Sequence, residues 1–207
     1  MAKFPHPPAA LPALRANDIR VLPAGTELWR LYFAAGPYPR LWDEFRYFGP
    51  VGTSRFDHHD PPPATQDRGL LYAAERAPTC FAETFQATRT INRARRDPWL
   101  VAFAVERDLR VLDLQGLWPT RAGASQAISS GPRPRAREWS RSIYAQYADV
   151  DGLRYPSSMF GGAIAFALYE RAEDAIPRRP VVHLPLTHPG LQWPIRRIAA
   201  ELGFNLV

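Results

Sequence analysis

The chain has 207 residues, with 26 Lys plus Arg against 20 Asp plus Glu and a formal net charge of +6. That length predicts one domain and is enough to bury a core without cross-links. The single cysteine, Cys80, excludes an intramolecular disulfide framework and a cysteine-based zinc cluster. No apolar run approaches a membrane span, so no membrane partner is expected and the cytoplasm is the default compartment. Lys3 is the only lysine, so 25 of the basic residues are arginines. That excess reads as GC-rich codon usage or as a need for planar, forked anion recognition, which lysine cannot supply.

Residues 1–17 are rich in Pro and Ala and read as a flexible leader that orders only by docking. Residues 18–207 read as a single domain. The run 27–33 (ELWRLYF) is aromatic and apolar and predicts a strand. Residues 34–68 carry many Gly and Pro and little periodicity; a stretch that long in a compact domain is functional or partly structured. Residues 69–74 (GLLYAA) predict a short strand. Pro78 suits the first turn of a helix running to about Thr88. Phe81 and Phe85, four apart, share its buried face, and Glu83 lies off that stripe.

Residues 100–106 and 110–114 predict paired strands. A helix is predicted over 134–147, with Trp139, Ile143, Tyr144 and Tyr147 on one apolar face. Residues 153–156, 163–169 and 180–185 predict further strands, and 194–202 a closing helix. Strands outnumber helices and do not alternate with them. The order predicts an α+β fold with mixed or antiparallel sheets, not a doubly wound one.

The chain has no phosphate-binding loop ending in Gly-Lys-Ser/Thr, no dinucleotide GxGxxG, no HExxH and no GxSxG. His58-His59-Asp60 invites a metal reading, but its spacing supplies too few converging ligands. It reads as a solvated loop, with no metal requirement. Two arginine clusters, Arg89/Arg93/Arg95/Arg96 and Arg133/Arg135/Arg137/Arg141, read as solvated faces, the first on an extension of the preceding helix. Four segments resist a bland reading. Arg30 sits inside an apolar strand, Arg55 lies between Ser54 and Phe56, Tyr72 lies in LLYAAE, and Glu83 lies in CFAETF. A buried charge must be paired or serve a site.

Taken together, WRLY, SRF, LLYAAE with CFAETF, and the late GLRYPSS resemble the RES domain family over about 28–169. The family's Arg, Glu and Ser match Arg30 or Arg55, Glu83 and Ser157. The resemblance implies a single RES-like domain over 18–207, with a fold similar to that of ADP-ribosyltransferase toxins. It implies degradation of NAD by hydrolysis or phosphorolysis, in a cleft that needs no Rossmann fingerprint. It further implies a bacterial toxin with an antitoxin partner carrying an Xre-like helix-turn-helix domain. The Pro-rich leader and the lengthened 34–54 stretch depart from the family pattern.

Cleaving the nicotinamide–ribose bond passes through an oxocarbenium-like transition state, and its leaving group already carries positive charge. The chemistry calls for a carboxylate near the ribose, forked cations at the diphosphate and an aromatic surface. Glu83 supplies the first, Arg30 and Arg55 the second and Tyr72 the third. Ser157 is the expected polar anchor, bonding a substrate hydroxyl, a phosphate or Glu83. NAD is substrate rather than cofactor, and water or inorganic phosphate is the nucleophile. Two alternatives stay open: ADP-ribosyl transfer to a macromolecule, and a non-enzymatic Arg-rich nucleic-acid-binding module.

Overall fold

The computed structural model describes residues 4–207. Its strands are β1 (Ile19–Leu22), β2 (Glu27–Phe33), β3 (Arg46–Gly49) and β4 (Ala64–Ala74), followed by helix α1 (Ala77–Phe85). Then come β5 (Thr90–Ile91), β6 (Pro98–Ala104), β7 (Leu109–Asp113) and the helices α2 (Trp118–Arg121), α3 (Ala127–Ser130) and α4 (Arg133–Gln146). The chain closes with β8 (Gly152–Pro156), β9 (Ile164–Tyr169), β10 (Val182–Pro185), α5 (Gln192–Leu202) and β11 (Asn205–Leu206). This is the mixed-sheet α+β arrangement that the element order predicts.

The main sheet runs β1-β7-β8-β9-β4-β2-β6-β10, with β3 added to β4. All its pairings are antiparallel except β7 with β8. The all-apolar β9 (IAFALY) is buried at every position, because both of its faces are covered. On one face α2 and α4 seat Trp118, Trp139 and Ile143 against Leu112, Leu153 and Ala167. The opposite face packs Leu28, Val101, Phe103 and Phe166 with Trp42 and Phe45. A third cluster joins α1 and α5 through Phe81, Phe85, Ile195 and Ile198.

Three local expectations need correction. β6 and β7, expected to pair with each other, do not: β6 pairs with β2 and β10, and β7 with β1 and β8. The 34–68 stretch is partly structured, as expected: it contains β3, and β4 starts at Ala64, five residues earlier than the apolar run marks. Its first half, ATQDR, is polar because it is largely exposed. Helix α1 ends at Phe85 rather than Thr88, and the 89–96 arginines are not on a helix. Arg89 and Arg96 have positive φ (47° and 67°), and β5 between them pairs with β11. The leader, expected to be flexible, docks along α4. Phe4 stacks on Trp139, whose Nε1 donates to the Pro5 carbonyl at 2.9 Å, and Tyr147 Oη donates to the Pro12 carbonyl at 2.6 Å. The apolar side chains of Phe4, Leu11 and Leu14 give it a face to bury. Its residues 1–3 lie outside the described residues.

Candidate active site

The site starts from a gap in the sheet. β2 pairs with β6 along all seven residues, and β4 pairs with β9 over Leu70–Ala74. Between β2 and β4 there is one aligned pair, Trp29 with Ala74. Beyond it the two strands splay, and a cavity of about 270 Å³ opens between them under α1. Its walls carry Arg30, Arg55, Tyr72, Glu83, Arg133 and Tyr155.

Helix phase explains Glu83. Phe81 and Phe85 pin the apolar stripe of α1 to the core, so Glu83, two positions off it, is free to face the cavity. Ser157 stands behind it. The Ser157 hydroxyl donates to Glu83 Oε1 at 2.5 Å and accepts the backbone N–H groups of Met159 and Phe160, each at 3.1 Å. With two donors on its oxygen, the hydroxyl directs its one proton at the carboxylate. Of the three partners expected for Ser157, the structure provides Glu83. Ser158, not Ser157, lines the cavity itself.

The cations reach the cavity from three elements. Arg30 alternates inward from β2 and is only 9% exposed. Its Nη2 donates to the Glu44 carbonyl at 3.3 Å, while its buried Nη1 has no partner. Burial pulls its pKa down to about 10, with Arg40 adding to the effect and Glu44 opposing it. Arg55, on the loop before β4, donates to the Gly131 carbonyl at 2.5 Å. Burial, and then the neighbouring Arg133, shift its pKa downward. Among the described residues, Arg30, Arg55, Arg133 and Glu83 make no ion pair. Tyr72 is fixed from outside the cavity, its hydroxyl accepting the Phe56 N–H at 3.1 Å. Burial raises its pKa, so the ring is a neutral wall.

All five sequence-selected residues therefore converge: four on the cavity and Ser157 immediately behind Glu83. Sequence reasoning missed Arg133, Gln86 and Tyr155. Arg133 belongs to a cluster read as a solvated face, yet it lines the cavity and donates to Gln86 Oε1 at 3.0 Å. Gln86 in turn donates to the Glu83 carbonyl at 2.7 Å. Arg137 of the same cluster braces the Arg55 loop through the carbonyls of Gly52 and Ser54, at 3.0 and 3.3 Å. No local pattern marks these roles, because they depend on where α4 crosses the sheet. Tyr155 does carry a signal, since it stands inside the matched GLRYPSS.

The His58-His59 reading also needs correction. These histidines are fully buried, not solvated. His58 stacks on Tyr144 at 4.3 Å and lies 3.7 Å from Glu170. His59 Nδ1 lies 2.6 Å from Asp57 Oδ1. Asp57 also accepts from Arg46 Nη2 at 2.8 Å and from the Val51 N–H at 2.6 Å. Burial alone would raise its pKa, but these bonds hold it well below the usual carboxylate range. Among the described residues no group of three or more metal-ligating side chains converges.

Fold and site together define a mixed-sheet α+β protein with a cavity between two strands of one sheet, lined by arginines without carboxylate partners and one oriented glutamate. A family model for the RES domain matches residues 27–197, and the chain belongs to that family. Among solved structures, a chain of the M.tuberculosis MbcT–MbcA toxin–antitoxin complex has a similar fold. The TM-score is 0.57 at 18% identity, covering 86% of this chain and 92% of that one. Comparison with curated proteins finds no match. Among the described residues no helix is long and apolar enough to cross a membrane.

Proposed function

We propose that this protein cleaves the nicotinamide–ribose bond of NAD, with water or inorganic phosphate as the incoming nucleophile. The observation that carries the reading is the Ser157–Glu83 hydrogen bond of 2.5 Å at the edge of a cavity that also holds three arginines without carboxylate partners. A carboxylate held in one orientation, beside cations that await an anion, matches the charges of this reaction. Glu83 faces the anomeric carbon, where positive charge develops as nicotinamide departs. Its second oxygen accepts only a long bond from Gln86 Nε2, at 3.5 Å, and has room for the ribose hydroxyls. Arg30 and Arg55, joined by Arg133, hold the diphosphate. Tyr72 and Tyr155 supply the ring surfaces against which the nicotinamide stacks.

Ser157 acts through Glu83 and does not touch the substrate. The leaving group is a neutral nicotinamide once the bond breaks, so no general acid is needed. Hydrolysis gives ADP-ribose and a proton, and phosphorolysis gives ADP-ribose 1″-phosphate. NAD consumption fits a toxin, and the similar fold in a toxin–antitoxin complex supports pairing with an antitoxin. For that partner we favour a helix-turn-helix protein of the Xre type.

Incubating purified protein with NAD, with and without phosphate, and identifying the products tests the reading. Release of nicotinamide is expected, and the sugar product identifies the nucleophile. Label retained on a protein or nucleic acid would mark transfer instead. Intact NAD under both conditions would sink the proposal.

A further inference from the structure

The splay between β2 and β4 continues past the cavity that holds Glu83. A second concavity of about 210 Å³ lies further along the same strands. It shares Arg30, Leu31 and Tyr72 with the first, and adds Tyr32, Phe33, Leu70 and Arg46 from the strands, with Tyr38 and Arg40 from the loop after β2. The two therefore form one trough with Arg30 at its junction.

The loop that roofs the outer part is held firmly. Trp42 and Phe45 are buried in the core, with the Trp42 ring 5.7 Å from that of Phe103. The Arg40 N–H donates to the Phe33 carbonyl at 3.0 Å. Against that anchoring, Tyr38 stands out, 74% exposed on the rim. An aromatic ring left bare on a fixed loop over a concavity is a stacking platform. The charges are uneven as well. Arg40 is paired with Glu44 at 2.5 Å and Arg46 with Asp57 at 2.8 Å, whereas Arg30 at the junction has only a carbonyl. The trough thus offers one uncompensated buried cation in the middle and a bare ring at the outer end.

We propose that the outer concavity is the seat of the second nucleoside half of the dinucleotide, its base stacked on Tyr38 and its diphosphate lying over Arg30. This rests on the reading of the inner cavity as the nicotinamide–ribose site. It gives a role to the lengthened 34–54 stretch: that segment selects dinucleotides over mononucleotides. Arg40, already paired with Glu44, lines the rim beside Tyr38.

Two measurements test it. The first is binding of ADP, which lacks the scissile bond, to wild type, Tyr38→Ala and Arg40→Ala by titration calorimetry. ADP is expected to bind wild type and to bind Tyr38→Ala about tenfold more weakly, the size of one lost base–aromatic stack. The second is kcat/KM for nicotinamide release from NAD and from nicotinamide mononucleotide. Wild type is expected to prefer NAD, and the ratio is expected to fall about tenfold in Tyr38→Ala. Matching thermal melts of variants and wild type exclude loss of fold. No ADP binding to wild type, equal binding by all three proteins, or equal kcat/KM for both substrates would overturn the inference. ADP binding that depends on Tyr38, with no nicotinamide released, would keep the nucleoside seat and overturn the proposed chemistry.

Discussion

Two neighbouring groups of buried charge are handled in opposite ways. In the cleft, Arg30 keeps an unpartnered Nη1, and neither Arg55 nor Glu83 meets an opposite charge within ion-pair distance among the described residues. Behind the same loop, Asp57 is met by Arg46, His59 and a backbone N–H. Glu170 there accepts from Tyr144 Oη at 2.6 Å and from the Gly69 N–H at 2.8 Å. The two groups are two residues apart in RFDHHD, where Arg55 turns to the cavity and Asp57 to the core. Desolvating a charge is costly unless partners offset it. That Asp57 is satisfied this fully while Arg30 is left open is what the proposed function requires of a cation meant for an incoming anion. Buried charge alone does not mark a site; buried charge without an internal partner does.

That contrast can be broken by experiment, most strongly at Glu83. Glu83→Gln keeps the size and the Ser157 contact but removes the charge. Nicotinamide release should fall by about 10²–10³ with little change in the melting temperature. A variant that melted much earlier would move Glu83 into the structural group. Asp57→Ala should do the reverse. It leaves Arg46 and His59 without their shared acceptor, and a loss of about 3 kcal/mol is expected in urea unfolding. Arg30→Met is the sharper test of the open group. NAD should bind about tenfold more weakly, while the urea midpoint holds or rises, because an unpaired buried charge has been replaced by an apolar side chain. A lower midpoint would show that Arg30 is structural after all.

The smallest effect is in the acid limb of stability. Hydrogen bonds to Glu170 hold its pKa down at about 2, against 4.5 when free, although burial opposes them. Its contribution is therefore present above pH 4.5 and is lost as the pH falls towards 2. Burial lowers His58 from its free value of 6.5, so His58 adds a loss that begins nearer neutrality. Glu170→Gln should flatten the lower part of the stability–pH curve, measured by urea titration at pH 3 to 6. An unchanged curve would remove Glu170 from the satisfied group.

Much of this was legible in the chain. The aromatic run of β2 and the apolar β6 and β9 announce themselves, and Glu83 stands off the Phe81–Phe85 stripe inside CFAETF, one of the segments that carry the family resemblance. Ser157 stood out in GLRYPSS. What was illegible is long-range. RFDHHDPPP is polar in composition, and only the rings of Tyr144 and Tyr169, at 4.3 and 4.6 Å, make a core of His58. Arg133 looks like any other arginine of its run until α4 is laid against Gln86. The leader has the composition of a tail, yet its prolines hold an extended chain that needs few backbone partners, and Phe4 and Leu11 supply the grip.

The single rung between β2 and β4 has a mechanical consequence. The main sheet is in effect two panels joined by one stitch at Trp29 and Ala74, each panel laced tightly on its far side. Past that stitch no backbone rung sets the width of the trough, which is held by side chains and by α1, packed against both strands.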